Sequence, residues 1–512
     1  MNPPSGAAAA CPGQGPAWRA ASVPALWERL ASETAKGRRF AGLMATQLPG
    51  SLVLSAHLAG PEGIVTHEAA LPQGAASYPA LTPVLGAAFW YEREIHDLFG
   101  IVPDGHPRVE PLVLPLLGEH APRPLPGAPG PAPAAIWPDE HSIPRHVMGP
   151  GLFTIPHGPV RSGVFESIEY LVETPGEDIA HLNMRLFYKH RGIEKRFEQL
   201  TAADGVLLAE RTEGVASVAH ALAYCHAMER LAGVSVPWPA ALIRVVHAEL
   251  ERLAAHLDTA VRLADTAGLA VATARFGLHK EHLARLVSRM CGSRFGRGVV
   301  VPGGVRALPQ VSAAEFGAEI GRLERSITAD ATVLMGTASF LDRLRSTGPL
   351  RQDRAREHGA LGPIGKASGF SADARLDRPY DGYSSLHVPG LRAHTDGDAL
   401  ARLRVRWDEV RQSFQLLRAA ARQLSKASGA GDGPLRVPCE ASGGRAAGWA
   451  EAPQGEVLYD VALHDGRIIR CRPRSASFHN LVLFHEVFAG DILTDFPFIE
   501  ASFGLSVAGA AL

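Results

Sequence analysis

The sequence predicts an α+β protein in two unequal parts: a small α+β domain at the N-terminus, then a larger, mainly helical domain with small β-elements at its two ends. Three observations predict it. Alternating apolar and polar stretches such as SLVLSAHLAG (51–60) crowd the first hundred or so residues. Long segments with apolar residues three and four apart dominate after residue 200. Between them, APRPLPGAPGPAPAA (121–135) has no apolar period and is mostly Pro, Ala and Gly, the composition of a semi-extended linker.

Each element follows in order. The opening MNPPSGAAAACPGQGP lacks a basic region followed by an apolar core, so residues 1–18 read as a disordered tail and not as a secretory signal. The small domain is placed at 19–118, with a helix in VPALWERLASETA and strands in 51–60 and around GIVTHEA. The linker is placed at 119–140 and the large domain at 141–512. VFESIEYLVET begins it as a strand. In SVAHALAYCHAMERLAG, Val218, Leu222, Cys225 and Met228 share one helix face. In PAALIRVVHAELERLAAHLDTAV, Leu242, Val246, Leu250, Leu253 and Leu257 do the same, with Pro239 suitably near the start. Further helices are predicted over 275–291, 313–345 and 397–427. No internal repeat is present.

Composition excludes several classes. Lys plus Arg (51) nearly cancels Asp plus Glu (52), so no global field argues for nucleic acid or an anionic membrane. The five cysteines, Cys11, Cys225, Cys291, Cys439 and Cys471, include no C-x-x-C pair, which suits a reducing compartment and argues against a self-contained zinc or iron–sulfur site. No apolar run approaches the ~20 residues of a spanning helix. No G-x-G-x-x-G fingerprint or P-loop is present, so neither NADH nor ATP is expected on this chain. His247 and His256 fall near opposite faces of one helix and read as satisfied core histidines.

FWYEREIHDLFGIVPDGHP (89–107) sets aromatics beside Glu92, Arg93, Glu94, His96 and Asp97, followed by a turn carrying His106. On residue types alone it reads either as a helix with an aromatic core face or as a docking surface anchored by aromatics and arginine. The pattern resembles the signature of the 30-kDa-type peripheral-arm subunit of complex I and its counterpart fused to group 4 membrane-bound [NiFe]-hydrogenase large subunits. It matches from Glu92 through Ile101 and again at Gly105-His106-Pro107. HGPVRSGVFES (157–167), RLFYKHRGIEKRFEQL (185–200), RVVHAELERLAAHL (244–257), GSRFGRGVVVPGGV (292–305), GALGPIGKASG (359–369), DGDALARLRVRWDEVRQSF (396–414) and RPRSASFHNL (472–481) follow in order. They resemble the complex I quinone-site subunit and the hydrogenase-4 and formate hydrogenlyase type of large subunit.

The resemblance frames one question. Group 4 hydrogenases hold nickel and iron by thiolates in two C-x-x-C pairs, the first in an E-R-x-C-G-x-C loop. Here that frame survives as Glu210, Arg211 and Gly214, but the ligand positions hold Glu213 and Ala216. At the far end, Ser506 and Gly509 stand where the second pair would be. Soft thiolates suit such a metal site, so no metal ligand is assigned, and the site reads as lost with its scaffold kept. In the complex I subunit the same cavity takes a quinone, but its tyrosine falls on Gly214 and its histidine near Phe165, close to Arg161.

The resemblance implies Arg161, Glu166, Glu213 and His220 as the groups of a proton or quinone cavity, Glu166 at the start of a proton route. It implies His190 and Arg191 of KHRGIEK, together with Glu92, Arg93, His96, Asp97 and His106, as contacts to partner chains. The implied partners are an iron–sulfur small subunit whose [4Fe–4S] cluster lies nearby, a ferredoxin-like subunit and membrane ion-translocating subunits. No cofactor is assigned to the chain itself; a quinone is the ligand the resemblance offers for the cavity. The implied place is peripheral, at the cytoplasmic face of the inner membrane. The implied role is coupling electron transfer from the iron–sulfur subunit to quinone or ion movement without a NiFe centre; the alternative is a non-catalytic scaffold that keeps only docking surfaces. The two readings predict different cavities, one polar and convergent, the other filled by apolar side chains.

Overall fold

The computed structural model describes residues 18–48, 51–72, 74–117, 123–125, 135–136, 147, 149–161, 166–427 and 434–512. Residues 1–17 of the predicted tail, most of the linker stretch, and Phe165 lie outside these, while Trp18, predicted as the end of the tail, begins a strand.

The N-terminal part is a twisted four-stranded sheet in the order Trp18–Ala20, Gly63–Pro72, Ser51–Gly60, Arg39–Leu48. The first pair is parallel and the others are antiparallel. Helix Val23–Ala35 is capped by Ser22, whose Oγ accepts from the Ala25 amide, and it buries Val23, Leu26, Trp27 and Leu30. Helix Phe89–Phe99 ends on Gly100 in the left-handed region (φ +75°), a C-terminal stop that glycine takes without strain.

The larger part opens with a three-stranded antiparallel sheet centred on Glu169–Thr174, between Phe153–His157 and His181–Arg185. The bundle is built from helices Ser217–Ala232, Trp238–Thr266, Ala270–Cys291, Ala313–Met335 and Ala399–Ala427. The predicted single helix over 313–345 is two, Ala313–Met335 and Ala338–Leu344. Gly336 ends the first and Thr337, in extended conformation, starts the second. A second antiparallel sheet, Gly444–Ala452, Gly455–His464 and Arg467–Arg474, closes the chain before the short C-terminal helices. Gly448 lets this sheet seat on helix Ser217–Ala232, since a Cβ there would lie 2.1 Å from the Ala223 carbonyl oxygen.

The two parts share one core. Leu43, Leu54, Tyr91 and Ile95 of the first cluster with Ile168, Tyr170, Phe478, Phe484 and Phe503 of the second. The Tyr91 ring meets Phe478 edge-on at 5.0 Å, and its hydroxyl bonds His479 Nδ1 at 2.8 Å. Among the described residues no helix is long and apolar enough to cross a membrane.

Candidate functional site

The site forms where the 210–216 loop meets the C-terminus. Helix Ser217–Ala232 starts at Ala216, which has no side chain to cap it. The cap comes instead from the next helix, where Glu251 accepts from the Val218 and Ala219 amides at 2.6 and 3.0 Å. Burial pushes the Glu251 carboxyl up to about 8 against the opposing pull of those two amides.

Glu213 points inward and is 1% exposed. One of its oxygens accepts from Ser477 Oγ at 3.1 Å; the other lies 3.2 Å from His220 Nε2. His220 Nδ1 is 2.9 Å from the Tyr459 hydroxyl, which is 3.2 Å from Thr212 Oγ1. Burial holds the Tyr459 phenol well above its ordinary value, so it stays protonated. With Nε2–H donating to Glu213, Nδ1 accepts the phenol proton. Glu213, His220, Tyr459 and Thr212 thus form a buried run of exchangeable groups.

Gly509 makes room for this run. A Cβ on it would lie 2.2 Å from Glu213 Oε2, so the carboxylate occupies space that any side chain at 509 would need. Ser506 is one step away, its amide donating to Ser477 Oγ at 3.0 Å. Of the four positions that the resemblance would give to metal-holding thiolates, two are therefore in direct contact, a third joins them through Ser477, and none carries sulfur. A carboxylate, a hydroxyl and two groups without donors do not make the soft donor set of such a centre. Among the described residues no group of three or more His, Cys, Asp or Glu is placed to hold a metal ion.

Glu166 holds the other side of the C-terminus. It accepts from Ser506 Oγ at 2.8 Å, from the Val507 amide and from the Ala508 amide at 3.2 Å. Its link toward Glu213 runs through the Ser506 backbone amide, so the exchangeable side-chain run stops at Ser477. Arg161 joins a different cluster. It makes a two-pronged ion pair with Glu500 at 2.8 and 2.7 Å and lies over the Tyr170 ring, whose hydroxyl also bonds Glu500. Of the four predicted cavity groups, Glu213 and His220 touch, Glu166 is one residue removed, and Arg161 is elsewhere. Sequence reasoning misses Ser477, Tyr459, Glu251 and Glu500 as site residues. Two of them lie within family-like stretches, Ser477 in RPRSASFHNL and Glu251 in RVVHAELERLAAHL.

The predicted partner contacts turn inward. His190 Nδ1 lies 2.6 Å from the Ala511 carbonyl, and the Arg191 guanidinium clasps the carbonyls of Ala508 and Thr212, tying the loop to the C-terminal helix. Glu92 accepts from the Leu81 and Thr82 amides, and Asp97 from those of Leu112, Val113 and Leu114. Arg93 donates to the Glu110 and Pro111 carbonyls. His106 meets the Phe89 carbonyl and His96 that of Ile101. The charged signature therefore pins helix Phe89–Phe99 to its own surroundings. His256 is satisfied by Glu409 at 2.8 Å, whereas His247 Nδ1, expected to be satisfied, is buried with no hydrogen-bond partner among the described residues.

A crevice of about 120 Å³ lies against Gly214, Val215, Val218, His247 and Glu251. That is well below the ~300–1,000 Å³ of preformed sites for organic ligands.

Comparison with known proteins places the chain. Residues 19–125 match the family described as respiratory-chain NADH dehydrogenase, 30 Kd subunit, and residues 265–440 match the 49 Kd subunit. An NADH-quinone oxidoreductase subunit of Deinococcus radiodurans is 31% identical over 56% of this chain and 70% of its own length. Formate hydrogenlyase subunit 5 of Escherichia coli is 27% identical over 83% of this chain and 75% of its own. The fold is similar to a chain of the membrane-bound sulfane sulfur reductase, an archaeal respiratory membrane complex, with TM-score 0.66 and 22% identity over 72% of this chain and all of that one. The chain belongs to the family of complex I 30- and 49-kDa-type subunits and their group 4 hydrogenase counterparts, with both domains fused in one polypeptide.

Proposed function

We propose that this chain is a peripheral subunit, at the cytoplasmic face of the membrane, of a complex I-related assembly that carries no NiFe centre of its own. It couples electron arrival in a neighbouring iron–sulfur small subunit to proton uptake at the Glu213–His220 pair. The partners are that subunit, a ferredoxin-like subunit and membrane ion-translocating subunits. The observation that carries the reading is the contact between Glu213 and Gly509: two positions that would each hold a thiolate are filled by one carboxylate, bonded to Ser477 and His220.

The chemistry assigned to the chain is proton handling. A negative charge gained nearby raises the proton affinity of a buried carboxylate and imidazole alike. One proton taken up from the medium comes to rest at Glu213 Oε2 or on His220, which bond each other at 3.2 Å, while Tyr459, kept protonated by burial, and Thr212 orient the imidazole by hydrogen bonding. Glu166 and Arg191 act as positioning residues, holding the C-terminal segment that supplies Ser506 and Gly509. A quinone within this chain has less support, because the crevice beside Gly214 is small and the position of the family's quinone-meeting tyrosine is a glycine.

The scaffold alternative predicts an apolar filling, and the polar convergence of Glu213, Ser477, His220 and Tyr459 weighs against it. The test is purification of the tagged chain with its partners from gently solubilised membranes, followed by nickel analysis, a hydrogen–viologen assay and turnover of the assembly with its own donor. The expected result is co-purified iron–sulfur and antiporter-like subunits, no stoichiometric nickel, no hydrogen activity, and at least about tenfold slower turnover in Glu213→Gln. Stoichiometric nickel with hydrogen activity would overturn the metal claim. Unchanged turnover in Glu213→Gln would favour the scaffold.

A further inference from the structure

Apart from the C-terminal cavity, a cleft of about 790 Å³ opens between helix Ala313–Met335, the 389–394 segment and helix Ala399–Ala427. Its size falls within the ~300–1,000 Å³ of organic-ligand sites. Its apolar wall comes from Ile327, Ala331, Met335, Leu391, Trp407 and Val410. Three arginines, Arg392, Arg404 and Arg411, line it together with His394.

The charges do not cancel. Asp408 is the acid in the lining, and it is engaged by Arg411 and by His394 Nε2 at 3.1 Å. Arg392 and Arg404 have no ion pair or hydrogen bond from their side chains to any described residue. Gln412 cannot neutralise them either: its carbonyl accepts from Arg375 at 2.6 Å and its amide donates to the Pro389 carbonyl. The floor is apolar. Trp407 is 7% exposed, and its indole N–H is buried with no acceptor among the described residues. Buried donors are almost always paired; this one lies beneath the cleft surface, so Trp407 offers the cleft its apolar ring face.

We propose that this cleft binds a small amphipathic acid: an apolar body resting on the Trp407, Ile327 and Met335 wall, with a carboxylate or phosphate monoester held by Arg392 and Arg404. Guanidinium groups suit either head group, because their planar donor fork matches two oxygens at once. The apolar wall selects against a bare anion, and the paired arginines select against a neutral lipid. The site is independent of the proton pair, since none of its lining residues belongs to the Glu213 run.

The test titrates the purified full-length chain with dodecanoate, dodecyl phosphate, dodecanol and inorganic phosphate. Each amphiphile is kept below its micelle concentration, and binding is followed by equilibrium dialysis and tryptophan fluorescence. Saturable one-to-one binding of dodecanoate or dodecyl phosphate is expected, the tighter of the two identifying the head group. The double variant Arg392→Gln/Arg404→Gln, at positions that leave the core intact, weakens it at least about tenfold, the loss of one charge-assisted contact. Ala331→Phe fills the floor and weakens it comparably, while Arg345→Gln, outside the cleft, leaves it unchanged. The proposal is overturned by non-saturating uptake of many amphiphiles per chain, by binding unaffected in both cleft variants, or by inorganic phosphate or dodecanol binding as tightly as the acids.

Discussion

Replacing Gly509 by alanine tests the central contact of the site. The added methyl would lie 2.2 Å from Glu213 Oε2 and 2.7 Å from its Cδ, closer than a Cβ approaches any atom in practice. The backbone of 509 can take a side chain without strain, since its φ is not positive. The cost therefore falls on Glu213, which must swing away from Ser477 Oγ and His220 Nε2, now at 3.1 and 3.2 Å. Each hydrogen bond to a charged group contributes about 1.5–3 kcal/mol net, so losing both costs about 3–6 kcal/mol. Exchanging Gly for Ala within a helix returns up to about 1 kcal/mol. The expected net destabilisation is about 2–5 kcal/mol.

A double-mutant cycle isolates the contact. Glu213→Ala gives up the same two bonds, and once the carboxylate is gone the methyl at 509 has nothing to displace. Gly509→Ala in that background should cost almost nothing, giving a coupling energy of about 2 kcal/mol or more. Equilibrium denaturation of the full-length chain, followed by circular dichroism, measures all four proteins. Wild-type stability in Gly509→Ala, or costs that simply add in the double variant, would refute the reasoning that the carboxylate fills the space at 509.

Two further outcomes follow from single groups. Glu166→Ala leaves the Val507 and Ala508 amides and the Ser506 hydroxyl without their acceptor; an opening cost lowered by about 1–3 kcal/mol should appear as faster hydrogen exchange in the 505–512 peptide, with unchanged exchange there counting against the assignment. At Asp381, burial raises the carboxyl but Arg244 and His226 outweigh it and hold it at about 2. A depressed acid stabilises the fold above its unfolded value near 3.8 and loses that contribution as pH falls toward 2, so about 2 kcal/mol should vanish across that window and be missing from the acid limb of Asp381→Asn.

How much of this is legible in the sequence depends on what kind of partner each residue has. Helix Ser217–Ala232 and the long helix after it can be read because their apolar spacing reports burial directly. Glu213 and His220 can be paired in principle, being seven residues apart across the start of one helix. Ser477 and Tyr459 lie 264 and 247 positions from their partners in the 212–213 loop, so no local pattern announces them. Arg161 illustrates the reverse error: a basic residue beside a predicted cavity reads as part of it, but Glu500, 339 positions away, has the stronger claim. The FWYEREIHDLF signature shows why charge misleads. Glu92, Arg93 and Asp97 look like surface in a sequence, yet they are 0–4% exposed, because backbone amides and carbonyls of the neighbouring loops satisfy them. The break at Gly336 is invisible because apolar residues continue in helical spacing on both sides of it.

The sharpest division between a working cavity and a relic comes from stability and turnover measured together. A buried carboxylate–imidazole pair is an expensive filling: each group gives up its hydration, and apolar residues of similar volume often do as well or better by about 1–4 kcal/mol. Glu213→Met with His220→Leu makes that replacement. Tyr459 keeps Thr212 and Ser477 still accepts from the Ser506 amide, while the Ser477 hydroxyl proton loses its acceptor, a cost of about 1–3 kcal/mol set against that gain. A scaffold selected for stability alone should then be as stable or more so, with the assembly's turnover intact. A proton-coupling site should show the same gain in stability together with a collapse in turnover, because the proton acceptors are gone while the fold is better filled. Lost turnover with lost stability would instead mean the pair is structural, and the proton-coupling reading would fall.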